Sequence, residues 1–227
     1  MLVLRSIVGI VLNVAIFGVT LFLPARTWDW WRAWVLLGLV FLGTAGSTIS
    51  LARADRGLLE ERLKPPLQKG QPVADKIVLI LLLATFAGLM VFIPLDVFRF
   101  HLIRAPGGFV SSLGLMLFVG GWGIASLALM ENAFAAPVVK HQAERRHVVI
   151  DSGVYSVVRH PMYSGGMLVM IGMPLWLQSY AAALLAALPI ATLAVRIVFE
   201  ERFLRRELNG YEEYAARVRY RLIPFAW

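Results

Sequence analysis

Six apolar runs dominate this chain and decide the solvent it folds in. Leu4 to Leu23, Ala33 to Leu51, Ile77 to Leu95 and Phe109 to Met130 are the first four. Each approaches or exceeds the roughly 20 residues a helix needs to cross about 30 Å of hydrocarbon. Two more, Met162 to Leu177 and Tyr180 to Phe199, follow with only Gln178 and Ser179 between them. An apolar share of 59% against 16% charged residues fits a bilayer setting. The expected fold is therefore an all-α integral membrane protein of about six transmembrane helices. The fifth run is short and carries Pro174, so a full crossing and a re-entrant hairpin both fit it. With the sixth run it forms a short hairpin. The first run is longer than a signal-peptide core, and Leu23-Pro24-Ala25-Arg26 offers no small-residue cleavage site, so an uncleaved anchor is expected.

The formal net charge of +8 raises the question of a nucleic-acid partner, but its distribution answers differently. With six crossings and a cytoplasmic N-terminus, eighteen of the 22 Lys and Arg residues face the cytoplasm. Only Arg26, Arg32, Arg99 and Arg104 face the other side. This asymmetry is the positive-inside pattern, and it predicts that both termini are cytoplasmic. Anionic headgroups are the partner such a face attracts. No nucleic-acid recognition motif accompanies the charge. The absence of cysteine excludes disulfides, thiolate metal sites and cysteine nucleophiles.

Two regions emerge. Residues 1–130 hold four helices, with Trp28, Trp30, Trp31 and Trp34 forming an interfacial aromatic belt. The loop at 52–76 reads as a short amphipathic helix stopped by Pro65 and Pro66, with a solvated charged face. Residues 131–227 differ in kind. Polar and ionisable residues crowd from Glu131 to Tyr163 and again from Arg196 to Arg221, flanking the hairpin. The hairpin returns both blocks to one membrane face, where chemistry is expected.

Within the first block, His147-Val148-Val149-Ile150 reads as an extended piece and Asp151-Ser152-Gly153 as a turn. Pro161 disfavours helical geometry at His160 and suits the first position of the next helix. His160 then lies at a positive helix end, suited to an anionic group. Alone, His160 reads as an ordinary interfacial histidine; with Tyr155, Arg159, Tyr163 and Gly165-Gly166 it reads as a site. In the second block, Arg196 and Glu200 are four apart and share a helix face. Arg196 sits at the edge of an apolar run, where a functional cation and a snorkelling one are equally compatible. No dinucleotide fingerprint, P-loop or metal-ligand spacing is present, so no metal site is expected.

Taken in order, Gly153-Val154-Tyr155, Arg159-His160-Pro161-Met162-Tyr163-Ser164-Gly165, Arg196 with Glu200-Glu201, Gly210-Tyr211-Glu212-Glu213-Tyr214 and Arg221 three before Pro224 form a pattern. It resembles the isoprenylcysteine carboxyl methyltransferase family over roughly residues 131–225. The resemblance implies a membrane methyltransferase that uses S-adenosylmethionine without a Rossmann domain, in a polar cytoplasmic cofactor pocket built from residues 131–227. By position it implies that His147, Val148, Val149, Ile150 and Tyr155 line the cofactor. His160, Pro161, Met162 and Tyr163 would complete the pocket, and Glu200 would contact the cofactor. Lys140 aligns with a cofactor contact that eukaryotic members make with glutamine. Arg196 falls where the family places an arginine that handles the substrate carboxylate, so Arg196 and Glu200 are the expected catalytic pair. The implied acceptor is a lipid-modified carboxylate entering from the bilayer.

Physical chemistry agrees with that chemistry. Methyl transfer from a sulfonium depends on in-line placement, which positioning can supply. A carboxylate with a reference pKa near 4 is already ionised, so no general base is needed. An arginine can hold it bidentately, and aromatic and acidic groups tolerate the sulfonium. The alternatives are a phospholipid amine N-methyltransferase, which needs a base; an NADPH-dependent membrane sterol reductase, which needs several inward arginines; and a non-enzymatic transporter or scaffold.

Overall fold

The computed structural model describes residues 1–65, 67–68, 71–132, 134 and 148–227. The long apolar runs form α1 (Leu2–Ala25), α2 (Trp31–Ala54), α4 (Val73–Leu95), α5 (Gly108–Glu131) and α8 (Ala187–Glu207). Shorter helices are α3 (Arg56–Arg62), α6 (Pro161–Trp176), α7 (Tyr180–Leu185) and α9 (Tyr211–Arg217). A π-turn, Asp96–Phe100, prolongs α4, and a 3-10 turn spans Gly153–Ser156. Among the described residues there is no strand.

Five segments are long and apolar enough to cross a bilayer: α1, α2, α4 with its π-turn, α5, and α7 joined to α8. The chain is thus a multi-pass membrane protein. Their outward faces carry exposed Leu12, Ile16, Val19, Phe41, Leu81 and Val119, side chains that hydrocarbon tolerates and water does not. The fifth apolar run differs. α6 has 16 residues, about 24 Å at 1.5 Å per residue, which falls short of the hydrocarbon thickness. Its limits are set locally. Pro161 takes the first helical position, Pro174 lies in the last turns, and the chain leaves the helix at Gln178 with φ 70°. Ser179 then caps α7 by accepting the Ala182 N–H at 2.9 Å.

The two arms of this hairpin pack mainly against different helices. α8 lies along α4, whereas α6 lies along α5. The α5–α6 seam is closed by paired glycines. A Cβ added at Gly121 would come within 2.5 Å of the Gly165 carbonyl oxygen, and one at Gly172 within 2.5 Å of the Gly114 carbonyl oxygen. Only residues without a side chain allow helices to approach so closely in a membrane. On the end of the fold away from the polar C-terminal blocks, Arg32 is held between Trp31 and Trp176, its guanidinium carbon 4.8 and 4.6 Å from the ring centres. Arg32 donates to the Trp176 carbonyl at 3.0 Å and the Trp176 indole N–H donates to the Arg32 carbonyl at 2.9 Å. Trp28, Trp31 and Trp34 are exposed as an aromatic belt should be, but Trp30 turns inward onto Phe98, 5.0 Å between ring centres.

α3 is the short helix expected in the loop after α2. Asp55 caps it by accepting the Leu58 N–H at 2.9 Å, and Leu58 and Leu59 are buried. Its last residue, Arg62, does not sit on a solvated face.

Candidate active site

Glu201 on α8 is the anchor of the polar C-terminal third. One carboxylate oxygen accepts from Arg159 Nε at 2.6 Å and lies 3.3 Å from His160 Nε2. The other accepts from Arg221 Nε at 3.0 Å. Arg159 also donates to the carbonyls of Val218 at 2.6 Å and Arg219 at 2.8 Å. The backbone N–H groups of Arg159 and His160 donate to the carbonyls of Tyr220 and Arg221, both at 2.9 Å. Arg159, His160 and Glu201 are all buried. Buried charges of this kind persist only when every partner is present. The C-terminal tail is therefore tied to the segment before α6 by charge and by main chain. α9 adds a small apolar core of Leu208, Tyr211, Tyr214, Ala215 and Val218, on which Val149 packs.

Glu200, the adjacent residue, faces another set of groups. It accepts from the Tyr163 hydroxyl at 2.6 Å. The Tyr163 ring stacks on His160, 5.7 Å between centres and 9° between planes. The guanidinium carbon of Arg196 lies 5.9 Å from the Tyr163 ring centre. Arg196 is buried and meets Asp75 on α4, Nε to Oδ1 3.4 Å. Asp75 Oδ2 in turn accepts from Gln71 Nε2 at 2.5 Å. Arg62 comes from α3, its guanidinium 3.9 Å from the Met162 sulfur.

Ionisation follows burial in this region. The Tyr155 phenol is pushed up from 10.0 to about 12, chiefly by loss of water, with a hydrogen bond from Asn132 acting against the shift. Burial raises Tyr211 and Tyr214 as well. Burial lowers Arg62, opposed by Tyr163 and Tyr155 beside it.

Of the residues singled out from sequence, His160, Met162, Tyr163, Arg196 and Glu200 are brought together. Tyr155 is buried nearby, and its carbonyl accepts from the Tyr214 hydroxyl at 2.8 Å. Pro161 is fully buried as the start of α6, Val149 belongs to the α9 core, Ile150 is half-buried and Val148 is exposed. Lys140 and His147 lie outside the described residues. Sequence reasoning missed Arg62, Asp75 and Gln71, and named Glu201 only as part of the Glu200-Glu201 pair, without its role as an ionic anchor. A usable signal existed for Asp75: an acidic residue two positions before the third apolar run, with Arg196 near the end of the last one.

An apolar cavity of about 620 Å³ lies among α1, α2, α4, α5 and α6. Arg62, Leu63 and Met162 line one end, and Phe17, Phe86 and Met170 the other. Phe17 and Phe86 meet edge to face, 6.4 Å between ring centres.

Fold and cluster define a class: an all-helical, multi-pass membrane protein with a buried ionic centre beside a lipid-sized cavity. The Phospholipid methyltransferase family model matches residues 109–209. The chain is 34% identical over 113 residues to the probable protein-S-isoprenylcysteine O-methyltransferase of Oryza sativa subsp. indica, covering 48% of this chain and 59% of that relative. It is 30% identical over 112 residues to protein-S-isoprenylcysteine O-methyltransferase B of Arabidopsis thaliana, covering 48% and 57%. The chain thus spans under two thirds of the length of these relatives. Its fold is similar to that of the eukaryotic intramembrane Ras methyltransferase, isoprenylcysteine carboxyl methyltransferase, with a TM-score of 0.55 and 19% identity, over 92% of this chain and 74% of that one. The chain thus shares its fold with that methyltransferase, and about half of it is similar in sequence to the plant protein-S-isoprenylcysteine O-methyltransferases.

Proposed function

We propose that the protein is an S-adenosylmethionine-dependent carboxyl O-methyltransferase acting on a lipid-borne, isoprenylcysteine-like carboxylate. The observation that carries this reading is that Arg62 and Met162 line a 620 Å³ apolar cavity while Arg62 also lies beside Tyr163, which is bonded to Glu200 and faces Arg196. A charged head and an apolar tail would both be accommodated.

The residues fit the cofactor. The Glu200 carboxylate and the rings of Tyr155 and Tyr163 offer a cation a carboxylate and aromatic faces. His160 holds Tyr163 by stacking, and the Arg159–Glu201 pair holds His160. Bound there, S-adenosylmethionine supplies an activated methyl group. Arg196 orients the acceptor carboxylate, which is already ionised and needs no base. Met162 and Arg62 stand where the cavity meets this cluster, so the apolar tail lies among the helices while its acid end meets the polar third. Residues 1–130 supply most of the cavity wall, and residues 131–227 supply the cofactor pocket.

The pocket and both termini face the cytoplasm on this reading, in which the short α6 also carries the chain across the bundle, since Trp176 at its end meets Arg32 on the far side. The eighteen-to-four division of Lys and Arg over six crossings supports it. Reporter fusions at Met1 and Trp227 test the topology, and an external C-terminus overturns it. The deciding assay compares binding of labelled S-adenosylmethionine and NADPH to the purified protein, then methyl transfer to a prenylated cysteine thioether acid and to phosphatidylethanolamine. The family model that matches residues 109–209 favours an amine acceptor as the second reading. Methylation of phosphatidylethanolamine alone establishes that one.

A further inference from the structure

We infer that Asp75 is a positioning residue for the acceptor carboxylate, acting through Arg196. This rests on the reading of Arg196 given above. Asp75 lies in the first turn of α4, and Arg196 lies eleven residues before the end of α8, at Glu207. The two helices pack side by side, and the pair joins them at 3.4 Å. Neither residue is at the surface: Asp75 is 3% and Arg196 6% exposed.

A buried carboxylate without support would take up a proton or move toward water. Asp75 is supported on two sides. Its second oxygen accepts from the Gln71 amide at 2.5 Å, and Gln71 is itself 5% exposed. The Gln71 side-chain oxygen accepts the Gln68 N–H at 3.2 Å, which fixes which way the amide points. Asp75 also sits at the positive end of α4, where a carboxylate is stabilised.

The consequence falls on Arg196. Its side chain has several rotatable bonds, and a guanidinium recognises a carboxylate only when its plane is set. Asp75 faces it from α4, Tyr163 from α6 and Glu200 from the next turn of α8. Tyr163 and Glu200 are bonded to each other. Gln71, Asp75, Arg196, Tyr163 and Glu200 therefore form one connected set that reaches from the residues just before α4 to the cofactor side. Asp75 determines the angle at which Arg196 meets an incoming acid, without touching it.

The test uses the full chain in lipid nanodiscs, with Asp75→Asn, Asp75→Glu, Arg196→Lys and the Asp75→Asn/Arg196→Lys double variant. Methyl transfer to a prenylated cysteine thioether acid and affinity for S-adenosylmethionine are measured in parallel. Asp75→Asn is expected to lower kcat/KM for the acceptor ten- to a hundredfold while cofactor affinity stays within twofold. Asp75→Glu recovers part of the loss. The double variant is no worse than Arg196→Lys, because Asp75 acts through that arginine. If Asp75→Asn turns over like wild type while Arg196→Lys fails, the inference is wrong and the role of Arg196 stands. If the two losses multiply, or cofactor affinity and melting temperature fall together with activity, Asp75 is structural only. If Arg196→Lys itself keeps full turnover, the reading of Arg196 falls, and this inference with it.

Discussion

Arg159 and Glu201, 42 positions apart, meet at 2.6 Å with both side chains buried, whereas Glu200 beside Glu201 bonds to Tyr163 instead. Successive helical residues point about 100° apart, so the two glutamates serve different neighbourhoods. This division makes an unusual pair of expectations for two adjacent residues of one type. Glu201→Gln leaves Arg159 and Arg221 without their shared charge and is expected to destabilise the protein by about 3–5 kcal/mol. Glu200→Gln and Tyr163→Phe are expected to weaken S-adenosylmethionine binding with little change in melting temperature. Thermal unfolding and cofactor titration of the same samples separate these effects. Equal melting shifts for the two glutamates contradict the division.

The glycine seam gives a second prediction. Gly121 and Gly165 pack backbone to backbone, so Gly121→Ala and Gly165→Ala must push α5 and α6 apart. Overpacking of this kind costs about 1–3 kcal/mol. Gly123, two residues on, has open space around its Cβ position. There alanine is expected to be neutral or stabilising by roughly 0.5–1 kcal/mol through its better helix propensity. Melting temperatures of the three variants decide the point, and a harmless Gly165→Ala excludes the seam.

The sequence made the helical skeleton legible, because hydrophobic run length alone dictates it, and Pro161 announced the start of α6. Length also gave warning about α6, whose 16 residues make it shorter than the other long helices. What could not be read was partnership across the bundle. Asp75 fell just outside the apolar run and so passed for a loop residue. Arg62 passed for part of a solvated face because its neighbours are charged. Nothing in a linear pattern tells which of two consecutive glutamates will meet Arg159, since that depends on the rotation of α8 against a tail some 20 residues further on. Gly210, with φ 83°, opens α9 after α8 has closed at Leu208.

Alkaline titration provides a third test. The Tyr155 phenol ionises near 10 in an unfolded chain but is held up to about 12 here by burial, and Tyr211 and Tyr214 shift the same way. The folded state therefore keeps protons that the unfolded state releases. Stability from this source is complete below about pH 10 and falls as pH rises through the folded values. Tyr155→Phe removes its share of the slope between about pH 10 and 12. Unfolding followed at several alkaline pH values, with tyrosinate absorbance as the second probe, checks it. An unchanged slope in Tyr155→Phe contradicts the assignment.

On the proposed reading, the far end of the cavity sets a limit on the acceptor's tail. Its wall runs from Ser6 to Phe17 on α1 and from Met162 to Met170 on α6. At 1.5 Å per residue these stretches are about 16 and 12 Å long. An extended polypeptide covers about 3.3–3.6 Å in three bonds, so this depth takes a chain of roughly 10–14 bonds. A farnesyl tail falls within that length and a geranylgeranyl tail exceeds it. The edge-to-face pair of Phe17 and Phe86 stands where the longer tail would continue. Phe86→Ala removes half of that barrier and is expected to raise kcat/KM for a geranylgeranyl acceptor about tenfold relative to the farnesyl one. Phe86→Trp is expected to favour shorter tails. Displacement of a fluorescent lipid by prenyl acids of graded length reports the same preference without turnover. A length profile identical in wild type, Phe86→Ala and Phe86→Trp shows that the tail lies elsewhere.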